Sequence, residues 1–196
     1  MTRVHLIRHA MTDAVGVRLC GRAPGVSLNT QGRAQAERLA ARMRARPVAK
    51  VLSSPRERAL ETAGPVAAAL KAPVEPSPAL DEIDFGEWTG RSFEALEDDP
   101  AWIAWNSHRG SAAPPGGEAM AEVQSRLSGL FDGLRADAGE VIAVSHADVI
   151  KAAVCAALGL SVDNLHRFDI APASVTTLRL HADGATLESL NEEAHD

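Results

Sequence analysis

The sequence predicts an α/β fold: a three-layer α/β/α sandwich on a mainly parallel, mixed central sheet, with residues 1–196 as a single domain. Three observations predict it. Short β-prone segments alternate with amphipathic helical patterns along most of the chain. Several of these segments are continuously apolar, as Val141 to Val144 is, which suits strands covered on both faces. Near the C-terminus two strand patterns flank Ala182-Asp183-Gly184, so the last pair reads as an antiparallel hairpin.

Arg3 to Arg8 forms the first expected strand, with Val4, Leu6 and Ile7 as its apolar residues. A loop rich in glycine and proline runs to Asn29. Asn29 and Thr30 offer capping oxygens for a helix over about Gln31–Arg46, which buries Leu39 and Met43 and stops at Pro47. Ala49 to Leu52 is the second strand. Ser54 as N-cap and Pro55 at the first helical position then open a helix carrying Ala59, Leu60, Ala63, Val66, Ala67 and Leu70. Gly64-Pro65 is expected to kink or divide it. Val74 starts a short strand, and Leu80 to Gly90 is a structured loop. Ser92–Leu96 and Pro100–Trp105 read as short helices, Glu118–Leu134 as a long amphipathic one. Val141–Val144 is the third buried strand and Ala147–Leu158 the helix after it. Ser174–Leu180 and Ala185–Leu190 complete the sheet.

Composition excludes several function classes. The net charge of −6 argues against a nucleic-acid partner, because such binding rests on Lys and Arg meeting phosphates. No apolar run approaches the ~20 residues of a membrane span. The start of the chain lacks a signal-peptide pattern, so a cytoplasmic protein is expected. Cys20 and Cys155 are far apart in sequence and read as free thiols. No H-E-x-x-H, C-x-x-C or P-loop pattern is present, and neither metal nor cofactor is implied. Arginine outnumbers lysine 17 to 3, so a lone arginine carries little meaning and position must decide.

In an open α/β sheet, ligands bind beyond the carboxyl ends of the strands. Arg8-His9 follows the first strand, Arg58 lies one turn into the helix after the second, and Ser145-His146 follows the third. Taken singly, each has an ordinary explanation as a packed, capping or solvated side chain. Together they bring two guanidinium groups and two imidazoles to one edge, a set suited to a phosphate. Other residues read as ordinary. His5 is a core or edge residue; His108, His166, His181 and His195 have no partner pattern. Trp88, Trp102 and Trp105 read as core, and Arg33, Arg38, Arg42, Arg44 and Arg46 as a solvated helix surface.

Leu6-Ile7-Arg8-His9-Ala10-Met11-Thr12 resembles the signature of the histidine phosphatase superfamily, in its phosphoglycerate mutase-like phosphatase branch. Four further segments match in order: Gly21-Arg22 through Leu28 with Gly32 through Ala36, Ser53 through Ala63, Leu80 through Gly90, and Val144 through Ala147. The resemblance implies a phosphoglycerate mutase-like fold and a metal-independent phosphomonoesterase. It implies His9 as nucleophile, Arg8, Arg58 and a protonated His146 as phosphate-binding groups, and Glu82 as proton donor. Asp81, Asp84 and Glu87 are local rivals for that last role. Thr12 and Arg22 are further candidates for substrate contact. Two positions depart from the pattern. Ala10 stands where the family usually has Gly, so its methyl bears on the width of the phosphate pocket. Val15 stands where many members have a phosphate-contacting Asn.

The expected activity is hydrolysis of a small phosphorylated metabolite through a phosphohistidine. Two rivals remain: a phosphoglycerate mutase-like phosphomutase, and a sensor that binds a phospho-ligand without turnover. Family mutases typically carry longer insertions than this chain. Leaving-group recognition is expected in roughly Ser92 to Gly117. The sequence names neither the substrate nor the oligomeric state.

Overall fold

The computed structural model of the chain describes residues 1–137 and 139–193; His195 lies outside them. Six strands form one mixed sheet: β1 (Thr2–Arg8), β2 (Val48–Ser53), β3 (Val74–Pro76), β4 (Gly139–Ser145), β5 (Val175–His181) and β6 (Gly184–Glu192). Their order is β3-β2-β4-β1-β5-β6. The first four in that order are mutually parallel, and β5 and β6 add antiparallel pairs. The ends of β1 and β4 are in register, with Ile7 opposite Val144 and Arg8 opposite Ser145. The residues that follow, His9 and His146, therefore leave the sheet side by side.

Alternation along the strands sorts the side chains into two cores. Ile7, Val51, Ile142 and Val144 pack beneath α1 (Thr30–Met43) and α2 (Glu57–Leu70). Val4, Leu6, Leu52, Val141 and Ala143 face the opposite cluster, which includes residues of α5 (Met120–Arg135) and α6 (Ala147–Leu158). Two short helices, α3 (Phe93–Leu96) and α4 (Pro100–Ser107), lie between α2 and α5 in the chain and bring Leu96 and Trp105 into that second core. The three layers are those expected. His5 is buried on β1, between Thr177 Oγ1 at 3.1 Å and Glu140 at 2.9 Å.

Several boundaries differ from the sequence reading, each for a physical reason. Asn29 does cap α1, its side chain accepting from Gly32 N, but the helix ends at Met43. Ser54 does not cap α2. Its N–H donates to Val144 O at 2.8 Å, prolonging the pairing of β2 with β4, and Arg56 takes the N-cap position. The helix also runs unbroken through Gly64-Pro65. Ala59 and Ala63 before the proline and Val66 and Ala67 after it are all buried in one cluster, which holds both halves to a common face. Glu118 stays outside α5, where its carboxylate meets Arg22 and Arg126 at 2.9 Å each.

The Leu80–Gly90 loop is fixed by short 3₁₀ turns at Pro78–Leu80 and Gly86–Trp88. Gly86 has φ +51°, and a Cβ there would lie 2.1 Å from Pro115 O. Only glycine allows that close approach. A third 3₁₀ turn, Val162–Arg167, was not anticipated.

Candidate active site

A cleft of about 300 Å³ opens where β1 and β4 end. Arg8, His9, Arg58 and Glu82 line its inner end. His146 lies directly behind this lining and is fully buried. Its ring centroid is 5.2 Å from that of His9. The structure thus brings together all five groups that the sequence singled out for the chemistry.

The backbone fixes His9 from both sides. Its N–H donates to Ser145 O at 2.9 Å, tying it to the end of β4. Its Nδ1 lies 2.8 Å from Ala10 O. A carbonyl only accepts, so Nδ1 carries the proton and Nε2 keeps its lone pair. Burial, helped by the charge of Arg58, lowers the pKa of His9 to about 3. The imidazole is therefore neutral at physiological pH.

Two arginines flank it, Arg58 buried and Arg8 partly buried. Arg8 Nη1 donates to Ile170 O at 2.6 Å, while its Nε has no protein partner among the described residues. Arg58 Nη2 donates to Gly21 O at 2.9 Å and faces His146 Nδ1 at 3.2 Å, while its Nη1 is likewise unpartnered. A buried donor without an acceptor is costly, roughly 1–3 kcal/mol. Two such donors on cationic groups beside His9 would suit an anion, and Arg109, farther along the cleft, has a third at Nε.

His146 differs from the expectation of an imidazolium. Its Nδ1 accepts from Arg58, and its Nε2, 2.8 Å from Ser54 Oγ, carries the proton. Burial and then Arg58 hold its pKa well below the ordinary histidine value. In the unliganded cleft it is neutral.

Glu82 lies 3.5 Å from His146 Nδ1 and accepts from Ile83 N at 3.0 Å. Burial raises its pKa to about 7, and the nearby charge of Asp148 adds to the effect against the pull of Arg58. Of the four acids considered for proton transfer, Glu82 alone lines the cleft. Asp81 is engaged by Arg56 Nε at 2.9 Å, Asp84 accepts from Gly86 N, and Glu87 is exposed.

Thr12 is buried in the cleft wall. Arg22 does not line the cleft. It donates to Glu82 O at 2.8 Å and to Glu118 at 2.9 Å, with Asp81 and Asp84 nearby, so it braces the loop that carries Glu82. Its four acidic or carbonyl neighbours leave it a supporting position instead of a substrate contact. Ala10 does not narrow the cleft either. Its methyl packs into the core with Ile7 and Leu28, and its N–H donates to Thr62 Oγ1 at 2.9 Å. Val15 lines the cleft with an apolar side chain.

The outer end is built from Phe85, Phe93, Trp102, Asn106, Arg109, Asp148 and His166. Trp88 and Trp105 are core, as expected, whereas Trp102 reaches the cleft wall. Asp148 stands in the first turn of α6, two residues beyond His146. That spacing was the available signal for it. His166 was missed outright; it arrives on the unanticipated 3₁₀ turn, its Nε2 3.0 Å from Asn106 O. His181 also has a partner, Asp183 at 2.8 Å, away from the cleft.

Comparison with known proteins follows this geometry. The chain is 34% identical over 189 residues to a bifunctional protein of Mycobacterium tuberculosis, covering 94% of this chain but only 52% of that protein. It is 30% identical over 197 residues to the adenosylcobalamin/alpha-ribazole phosphatase of Salmonella typhimurium, covering 98% and 97% of the two chains. The solved structure of a mycobacterial glucosyl-3-phosphoglycerate phosphatase superposes with a TM-score of 0.88 at 27% identity, over 97% of this chain and 99% of that one. The alpha-ribazole phosphatase of Shigella flexneri gives 0.85 at 29%, over 97% and 96%. The profile of the histidine phosphatase superfamily (branch 1) matches residues 4–193, and the chain belongs to that family.

Proposed function

We propose that the chain is a phosphomonoesterase that hydrolyses a small phosphorylated metabolite through a phosphohistidine at His9. One observation carries the reading: a neutral imidazole with a free Nε2 is flanked by two arginines, each with a buried, unpartnered nitrogen. His9 Nε2 attacks phosphorus in line, and the bond to the leaving oxygen breaks. Arg8 and Arg58 take charge on the equatorial oxygens. His146, neutral, seats Arg58 by accepting from its Nη2 at Nδ1. Glu82, a carboxylic acid below pH 7, gives its proton to the leaving oxygen. Water then attacks the phosphohistidine and yields its proton to Glu82. The P–N bond breaks, and inorganic phosphate and the starting enzyme are restored.

The names of the relatives support a small phosphorylated substrate. One continuous sheet and a family match over residues 4–193 support a single domain. No helix among the described residues is long and apolar enough to cross a membrane. That observation and the two free thiols support the cytoplasmic assignment.

The test is an aryl phosphate assay run with a chelator present. Phosphate release is expected, with an acid-labile phosphoryl group trapped on His9. His9→Ala should abolish both, a loss of at least ~10³-fold. Hydrolysis retained in that variant, or lost to chelator and restored by a divalent ion, rejects the mechanism. Exchange of 2- and 3-phosphoglycerate that outruns phosphate release makes the protein a mutase.

A further inference from the structure

The outer half of the cleft carries a charge arrangement that bears on the leaving group. Arg109 is almost fully buried at its wall. Its guanidinium carbon stands 3.6 Å from the centroid of the Trp105 ring. Nη1 donates to Asp148 Oδ2 at 2.6 Å, and Nη2 donates to Asn106 Oδ1 at 2.8 Å. Both terminal nitrogens are thereby engaged, one of them by a carboxylate, while the buried Nε has no partner among the described residues. Asp148 keeps a quarter of its side chain exposed and lines the same cleft.

Among the described lining residues, the phosphate claims Arg8 and Arg58. The charged groups left are Glu82, Asp148, Arg109 and Arg18. Arg18 is exposed, where solvent weakens its field. The remaining lining there is Phe85, Phe93, Trp102, Asn106 and an exposed His166 that faces a backbone carbonyl. A leaving group with its own carboxylate or second phosphate thus meets the carboxylate end of the pair, which is the more exposed, while the guanidinium is almost fully buried and already paired. An uncharged leaving group meets aromatic faces and hydrogen-bonding groups and incurs no such repulsion.

We infer that the Arg109–Asp148 pair is a charge filter that selects phosphomonoesters with uncharged leaving groups, Asp148 being the specificity-determining residue. The inference rests on the phosphomonoesterase reading above and narrows its substrate class. It also disfavours phosphoglycerates, whose carboxylate would lie on the filter's side of the phosphate.

The test uses two aryl esters of matched size and leaving-group acidity, 4-(hydroxymethyl)phenyl phosphate and 4-carboxyphenyl phosphate. Wild type should prefer the neutral ester by about tenfold or more in kcat/KM. Asp148→Asn removes the repelling charge and frees Arg109, so the preference should collapse at least severalfold. Most of the change should appear as a lower KM for the carboxylated ester. Asp148→Glu should restore the preference. A wild-type ratio near one overturns the filter without any variant, and so does a ratio that Asp148→Asn leaves unmoved. Hydrolysis of neither ester rejects the phosphomonoesterase reading itself, an outcome distinct from equal hydrolysis of both.

Discussion

The two ends of the cleft are made in different ways. At the inner end, Arg8 closes β1, His9 and His146 follow directly on parallel strands, and Arg58 sits in the first turn of a helix packed on the same sheet. Their backbones are held by ladder bonds such as His9 N to Ser145 O. At the outer end, Phe93, Trp102, Asn106 and Arg109 ride on short helices and a turn, and His166 on a 3₁₀ turn. Position at the inner end is therefore set by the sheet, except for Glu82, whose loop is braced by Arg22; at the outer end it is set mainly by side chains holding one another, with Asp148 on α6 the exception. In the proposed mechanism the chemistry, which tolerates little displacement, falls to the first, and recognition, which can be altered locally, to the second.

The largest test of that contrast is Arg58→Lys. Lysine keeps the charge but loses the fork that bonds Gly21 O, faces His146 and leaves Nη1 for substrate. A fall in kcat/KM for an aryl phosphate of roughly 10²-fold is expected, carried mainly by kcat. A loss below threefold would mean that the guanidinium geometry at the inner end is unimportant.

Glu82→Gln sharpens the comparison through pH. With its pKa near 7, Glu82 is a proton donor below that value, and wild-type kcat should decline as pH rises through it. The glutamine variant should lack this limb. Its loss should be about 10²-fold for alkyl phosphates and smaller for aryl phosphates, whose leaving groups need less protonation. An unchanged limb in the variant would assign the titration to another group.

The smallest expected effect concerns stability. His5, His9 and His146 all have pKa values lowered chiefly by burial. Below about pH 6.5 the unfolded chain takes up protons that these folded groups refuse, so stability is lost as pH falls. Glu82 opposes this between about 7 and 4.5, because its folded form binds the proton first. Three groups against one leave a net loss. His9 alone contributes about 2 kcal/mol at pH 5. The melting temperature should drop from pH 7 to pH 5, and His9→Gln should reduce that drop. An equal drop in both proteins would show that inner-end burial is not its source.

Much of the inner end was legible because its signals are local. An apolar strand followed by Arg-His, or by Ser-His, fixes both the element and the edge at which those side chains emerge. What was not legible depends on contacts between distant segments. Ser54 looked like a helix cap, yet the β2–β4 ladder and His146 claim it. Arg22 looked like a substrate contact, yet Glu82 O and Glu118 hold it. The methyl of Ala10 could point to substrate or to core, and only the packing of α1 and α2 decides for core. Asp148 and Arg109 lie 39 positions apart, and no periodicity joins them.

The aromatic wall at the cleft mouth has a practical consequence. The chain has three tryptophans and no tyrosine. Trp88, Trp102 and Trp105 sit in one cluster, with ring centroids 5.3 to 5.6 Å apart. Ultraviolet emission from the native protein therefore originates almost wholly from one cluster, whose Trp102 lines the cleft. Occupancy of that cleft can be followed in real time without any attached dye.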